Sequence, residues 1–169
     1  NLVIAGSDKR GAIYGLFHVS EAIGVSPWVY WGDAVPEQKT TVTFGLGEGG
    51  YTSDEPSVKY RGIFLNDEAP NLTSWTDGQF SKHFGPQFYG KVFELILRLK
   101  GNYLWPAMWS NDFYKEGTRG NSDLEAYKTA MALTQGALAN AELADKYGIL
   151  MGTSHHEPMG RAGNEWAEE

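Results

Sequence analysis

Two stretches of this chain follow one plan, and that plan narrows the folds open to it. Gly62-Ile63-Phe64-Leu65 is an apolar run of strand type that stops abruptly at Asn66-Asp67-Glu68-Ala69-Pro70. Gly148-Ile149-Leu150-Met151 stops in the same way, running into Gly152-Thr153-Ser154-His155-His156-Glu157-Pro158. Between them, Tyr103-Leu104-Trp105-Pro106-Ala107-Met108-Trp109 supplies a third apolar segment. Strands of a parallel sheet covered on both faces read as near-continuous apolar runs. In a (β/α) barrel the chemistry sits at their carboxyl ends. Acids, imidazoles and indoles gathered at three such ends predict the active face of a barrel enzyme.

The segments between the strands have the matching helical character. Gln87 to Lys100 places Phe88, Val92, Leu95, Ile96 and Leu99 on one helical face, and Gly101 ends it. Asp123 to Tyr147 reads as a second crossover helix. The loop from Asp67 to Gly85 is long enough to suggest a functional role. Upstream, Leu2–Ala5 reads as the tail of a strand, Gly6-Ser7-Asp8 as a turn and helix cap, Gly11 to Ile23 as a helix stopped by Gly24, and Trp28–Trp31 and Thr41–Phe44 as short strands. Gly, Ser and acidic residues from Gly45 to Pro56 mark a linker. The expected class is α/β: residues 1–50 from the C-terminal part of a small mixed domain, 51–57 as linker, and 58–169 as an incomplete (β/α)8 TIM barrel of about three βα units. A chain of this kind is expected to be a fragment, inactive alone, with open strand edges.

Composition removes several function classes. A formal net charge of −7 without any Lys/Arg cluster disfavours nucleic acid as a partner. No apolar run approaches the roughly 20 residues that cross a bilayer, so no membrane span is expected. The absence of cysteine excludes disulfides and thiolate metal sites. Gly6-Ser7-Asp8-Lys9-Arg10-Gly11 lacks the spacing of a phosphate loop. Neither cofactor nor metal is expected.

The candidate chemistry lies at the strand tips. Side chains alternate along a strand, so Asp67 and Glu68 cannot share a pocket unless the strand has ended. One is read as a pocket carboxylate, the other as a loop cap or surface acid; the plainer alternative is that Asn66-Asp67-Glu68 only caps the loop. His155, His156 and Glu157 are contiguous, whereas a helical zinc site wants ligands four residues apart. A pocket histidine bonded to a hydroxyl or carboxylate fits them better. Trp105 and Trp109, with Tyr103, keep strand spacing, and indole faces stack on sugar rings; core packing accounts equally well for Tyr103 and Trp105. Trp75 could line a cleft from the long loop. Arg161 either pairs with an acidic substrate group or forms a surface ion pair, and Arg61, near the start of its strand, is assigned a structural role. Asn71-Leu72-Thr73 fits a glycosylation sequon.

Taken as blocks, Gly6–Gly11, Ser26–Trp28, Lys59–Pro70, Leu97–Trp109 and Met151–Met159 resemble glycoside hydrolase family 115, the xylan α-1,2-glucuronidases. The resemblance implies removal of glucuronic acid or its 4-O-methyl form from xylan-derived polysaccharide or oligosaccharide by a secreted, extracellular enzyme whose members can dimerise. It implies inversion, with two carboxyls about 6.5–9.5 Å apart. Asp67, with Glu157 second in line, would be catalytic. Asn66, Trp109, His155, His156 and Arg161 would bind substrate, and carboxylates beyond this chain would complete the acid–base pair. The chain departs from the family between Phe113 and Leu143, where a longer segment including Gly117-Thr118-Arg119-Gly120-Asn121-Ser122 is either a true insertion or retained non-coding sequence. Two other readings stand beside this one: a non-catalytic carbohydrate-binding remnant using Trp75, Trp105 and Trp109, and a barrel hydrolase of the hexosaminidase type.

Overall fold

The structure is a computed structural model and describes residues 1–80, 84–107, 113 and 139–153. Within them, helix α1 (Lys9–Ala22) precedes strand β1 (Gly62–Phe64), helix α2 (Leu72–Gln79), helix α3 (Pro86–Arg98), strand β2 (Tyr103–Trp105), helix α4 (Ala139–Tyr147) and strand β3 (Leu150–Met151). The strands form one parallel sheet in the order β1-β2-β3, with Gly62 opposite Tyr103 and Tyr103 opposite Leu150. Chain order and spatial order coincide, as in consecutive strands of a barrel wall; a closed barrel takes eight, and the described residues hold three. The fold is therefore mixed α/β around a small parallel sheet.

Helix α3 is the centre of the core. Pro86 in its first turn carries no N–H that needs a partner there. Phe88, Val92 and Ile96 are buried as the apolar period predicts, but so are Tyr89, Phe93 and Leu97. The helix is covered on more than one side because it touches both α1 and α4. Leu99, expected on the buried face, is the C-cap just past the helix and is exposed.

All three long helices end alike. In α3, Lys100 (φ 59°) donates to the Leu97 carbonyl and Gly101 to that of Ile96, a Schellman turn. The left-handed position falls on a lysine, and the residue that must be small is Gly101, one step later. A Cβ on Gly101 would lie 2.8 Å from Ile96 Cγ2 and 3.0 Å from the Arg61 carbonyl. In α1 and α4 the same position is filled by Gly24 (φ 99°) and Gly148 (φ 72°).

Helix α1 docks at the strands' amino ends. Tyr14 Oη donates to the Gly101 carbonyl at 2.7 Å, Arg10 Nη1 to that of Gly148 at 3.2 Å, and Lys9 Nζ to that of Asp145 at 2.9 Å. Burial pushes the Tyr14 hydroxyl up from its ordinary value, which keeps it a donor. Arg61 Nε donates to the Lys100 carbonyl, Nη1 to those of Val58 and Lys59, and Nη2 to Tyr14 Oη. Its role is structural, as its place near the strand start suggested. Asn102 Oδ1 accepts from Arg61 N, and its Nδ2 donates to the Lys59 carbonyl, extending the β1–β2 contact below the strands.

Asp8 opens α1, its Oδ1 accepting from Gly11 N at 2.7 Å. That bond, followed by the nearby Arg10 charge, holds the carboxyl below its ordinary value. A carboxyl lowered on folding contributes stability above its unfolded pKa of about 3.9 and loses it as pH falls through the folded value. The side chain is half exposed, so the ionic part is screened. Asp8→Ala should therefore cost about 1 kcal/mol at neutral pH. Thermal unfolding should show variant and wild type converging as pH falls through the lowered folded value; a gap that widens in acid would contradict this.

Several expected strands do not form. Leu2–Ala5 and Thr41–Phe44 are irregular and Trp28–Trp31 is a run of turns. Leu2, Val3 and Val42 are exposed, and among the described residues no strand lies beside these segments to pair with them. An unpartnered strand leaves its backbone groups to water. The observed strands are also shorter than the expected spans Val58–Asn66, Asn102–Met108 and Ile149–Thr153. The long loop after Asp67 contains α2, which was not anticipated. Of the expected helix Asp123–Tyr147 only α4 is described; the rest lies outside the described residues, as does the departing segment around Gly117–Ser122.

Candidate active site at the strand tips

Strand β1 makes one more ladder bond, from Leu65 N to the Trp105 carbonyl at 3.0 Å, and then ends. Asn66 and Glu68 are exposed, whereas Asp67 is 2% exposed. The two neighbouring acids thus separate by direction, one inward and one to solvent. Burying a carboxylate costs heavily unless partners meet it, so this inward position is a constraint the fold maintains. Thr73 Oγ1, in the first turn of α2, donates to the Asp67 carbonyl and fixes the backbone there. Behind it, Thr76 is fully buried with no hydrogen-bond partner for Oγ1.

The tips are adjacent. Leu65 N bonds β2 at Trp105, and Gly152 N bonds β2 at the Leu104 carbonyl at 2.9 Å. Leu104 points into the helix layer and is fully buried, so Tyr103 and Trp105 share the opposite face. Trp105 Nε1 donates to Tyr103 Oη at 3.1 Å, and Phe64 packs edge-on to Trp105 with ring centroids 5.9 Å apart. A side chain on Gly152 would collide with Tyr103 Oη and Trp105 Nε1, so glycine there lets β3 pass close beside this pair. Trp105 is 38% exposed. Trp75 lies on α2 against Trp31 and Phe80, its ring 5.3 Å from Trp31's, which favours an ordering role over a binding one.

Asn66 and Asp67 thus sit at the carboxyl end of β1, beside the aromatic tip of β2. Trp109, His155, His156, Glu157 and Arg161 lie outside the described residues. Among the described residues no group of three or more His, Cys, Asp or Glu could hold a metal ion. A shallow hollow bounded by Asp8, Lys9, Arg10, Asp145 and Gly148 lies at the opposite, amino end of the strands, away from this chemistry. Sequence reasoning missed Tyr89. It is fully buried on α3, and its hydroxyl accepts from Ala107 N at 3.2 Å, just past β2. The available signal was a tyrosine within an apolar helix stripe, whose hydroxyl needs a partner once buried.

Comparison with known proteins sharpens the picture. Residues 53–169 match the family described as glycosyl hydrolase family 115. Among solved structures, 92% of the chain aligns with a family GH115 4-O-methyl-alpha-glucuronidase, BtGH115A, with specificity for decorated arabinogalactans, at 39% sequence identity and a TM-score of 0.68. The chain spans 18% of that structure's length. No curated protein matches.

Proposed function

Since the chain belongs to glycosyl hydrolase family 115, we propose that it forms the opening wall of the active site of an α-glucuronidase that removes α-1,2-linked glucuronic acid or its 4-O-methyl form from glucuronoxylan with inversion. In this reading residues 1–50 finish a preceding small α/β domain, 51–57 link the two, and 58–169 begin a (β/α)8 barrel. The enzyme works outside the cell on polymeric or oligomeric substrate and needs no cofactor. The observation that carries the reading is Asp67, a carboxylate buried at the tip of a parallel strand, one strand from an exposed indole.

Inversion requires one carboxylic acid to protonate the departing glycosidic oxygen while a carboxylate takes a proton from water attacking the anomeric carbon from the opposite side. The C–O bond to the aglycone breaks as the new C–O bond forms, and each proton has a carboxyl source or sink. Asp67 acts on or near the attacking water, with Glu157 the second carboxyl in this chain and later strands supplying the remainder. Asn66 and one of His155/His156 bond sugar hydroxyls, Arg161 pairs with the uronate, and Trp109 stacks on the ring.

A second substrate is favoured by one specific observation: the structure 39% identical to this chain is specific for decorated arabinogalactans. Incubating the full-length enzyme with glucuronoxylan and, separately, uronic acid-decorated arabinogalactan separates the two. Uronic acid released mainly from xylan, first seen by proton NMR as the β-anomer, is the expected result. Preference for arabinogalactan would reassign the polymer, an initial α-anomer would reject inversion, and release from neither would reject the glucuronidase reading.

A further inference from the structure

Among the described residues, one fully buried polar side chain outside the strand tips is that of Asn140. It lies in the first turn of α4, fully buried, and its Nδ2 donates to two backbone carbonyls, Phe84 at 3.1 Å and Phe113 at 2.8 Å. Phe84 closes the connection that leaves β1 at Asp67 and enters α3; Phe113 belongs to the connection that leaves β2. Helices α3 and α4 both finish at the strands' amino ends, so their first turns lie at the carboxyl ends, where the candidate site is. One amide thereby fastens together two loops that emerge from neighbouring strand tips.

The contacts continue to β2. Phe113 packs edge-on against Tyr89, with ring centroids 4.8 Å apart, and the Tyr89 hydroxyl receives the Ala107 N–H. Asn140 Oδ1 has no hydrogen-bond partner. Leucine would fill nearly the same volume without that orphaned acceptor, so the two donated bonds are what the amide adds.

We propose that Asn140 is a positioning residue: it sets the loop leaving β1 against the loop leaving β2, and so the place of Asp67 relative to the β2 tip. The inference rests on the strand tips being the active face. Misplacement of about 1 Å in such a site costs on the order of a hundredfold in rate.

The test uses the full-length enzyme. Asn140→Asp keeps the shape but turns the donor toward both carbonyls into an acceptor, and Asn140→Ser keeps at most one donor. Ala144→Gly loosens the same helix away from the loops. The expected result is a kcat lowered about ten- to a hundredfold in Asn140→Asp, and less in Asn140→Ser, with KM within about twofold of wild type. Ala144→Gly should lower Tm to a similar degree and keep its kcat. Hydrogen exchange should speed up in peptides covering Phe84 and Phe113 in either Asn140 variant, and not around Leu104. Wild-type kcat in Asn140→Ser together with unchanged exchange at Phe84 and Phe113 overturns the proposal, as does an equal loss of kcat in Ala144→Gly. If Asn140→Asp does not fold, Asn140→Ser decides alone. A wild-type enzyme that releases no uronic acid rejects the functional reading first, and exchange at the two loops then still decides whether Asn140 ties them.

Discussion

Asp67→Asn in the full-length enzyme should lower uronic acid release by about a hundredfold or more while leaving the protein folded. A positioned general acid or base contributes on the order of 10²–10⁴ in rate. The substitution is nearly isosteric; it removes the charge and the ability to hold or move a proton, and puts an amide N–H2 where a carboxylate oxygen stood. The Thr73 hydroxyl bonds the backbone carbonyl of Asp67, not its side chain, so that anchor survives the change. Because Asp67 is inward and Glu68 outward, Glu68→Gln should fall within about twofold of wild type, which separates the two acids. The measurement is kcat on an aldouronic acid, with a thermal melt to verify folding. A rate unchanged in Asp67→Asn would remove this residue from the mechanism.

Phe88→Ala should be the most damaging single truncation of the core. Phe88 is fully buried, with ring centroids at 4.9 Å from Phe84, 5.1 Å from Tyr89, 5.8 Å from Phe80 and 6.1 Å from Trp31. Its neighbours come from the long loop, from α3 itself and from the segment after α1, so no single element can shift to fill the space. Such a truncation costs about 3–5 kcal/mol through lost transfer energy plus the cavity left behind. A domain's whole stability is of order 5–15 kcal/mol. Chemical denaturation should show a lower midpoint, with tryptophan fluorescence reporting Trp31 and Trp75 early. A loss below 1 kcal/mol would mean the cluster repacks.

What could be read from the residues divides by range of interaction. Helices α1 and α3 were legible because their signals are local: Asp8 three residues before Gly11, apolar residues at helical spacing, glycine near each end. The direction and adjacency of the three strands were legible too, since two apolar runs ended in the same kind of polar tip and helical segments separated all three. Strand length was not, because it depends on a neighbour's register. Val58–Arg61 has strand-like residues, yet Asn102 and Arg61 side chains take over the backbone pairing there. Val3 and Val42 look β-forming, and among the described residues no strand lies beside them. Helix α2 was missed because Leu72–Gln79 is polar, contains Gly78 and is held mainly by Thr73, Trp75 and Thr76. At the strand tips, the place of Asp67 just past an apolar run was legible, and its burial shows which of the two neighbouring acids turns inward. Asn140 was not: it is an ordinary polar residue in an alanine-rich stretch, and only tertiary contact shows what its amide holds.

The footing under the strands has an uneven sensitivity to mutation. Lys9, Arg10, Tyr14 and Arg61 all reach main-chain oxygens, at Asp145, Gly148, Gly101, Lys100, Val58 and Lys59. A carbonyl is present whichever amino acid supplies it. Sequence drift at Val58, Lys59, Lys100 or Asp145 therefore leaves these attachments whole, while drift at the four reaching side chains does not. The hydrogen bonds that tie the first helix to main-chain oxygens beneath the sheet are thus specified by the side chains that reach, Lys9, Arg10 and Tyr14, and not by the residues that receive them.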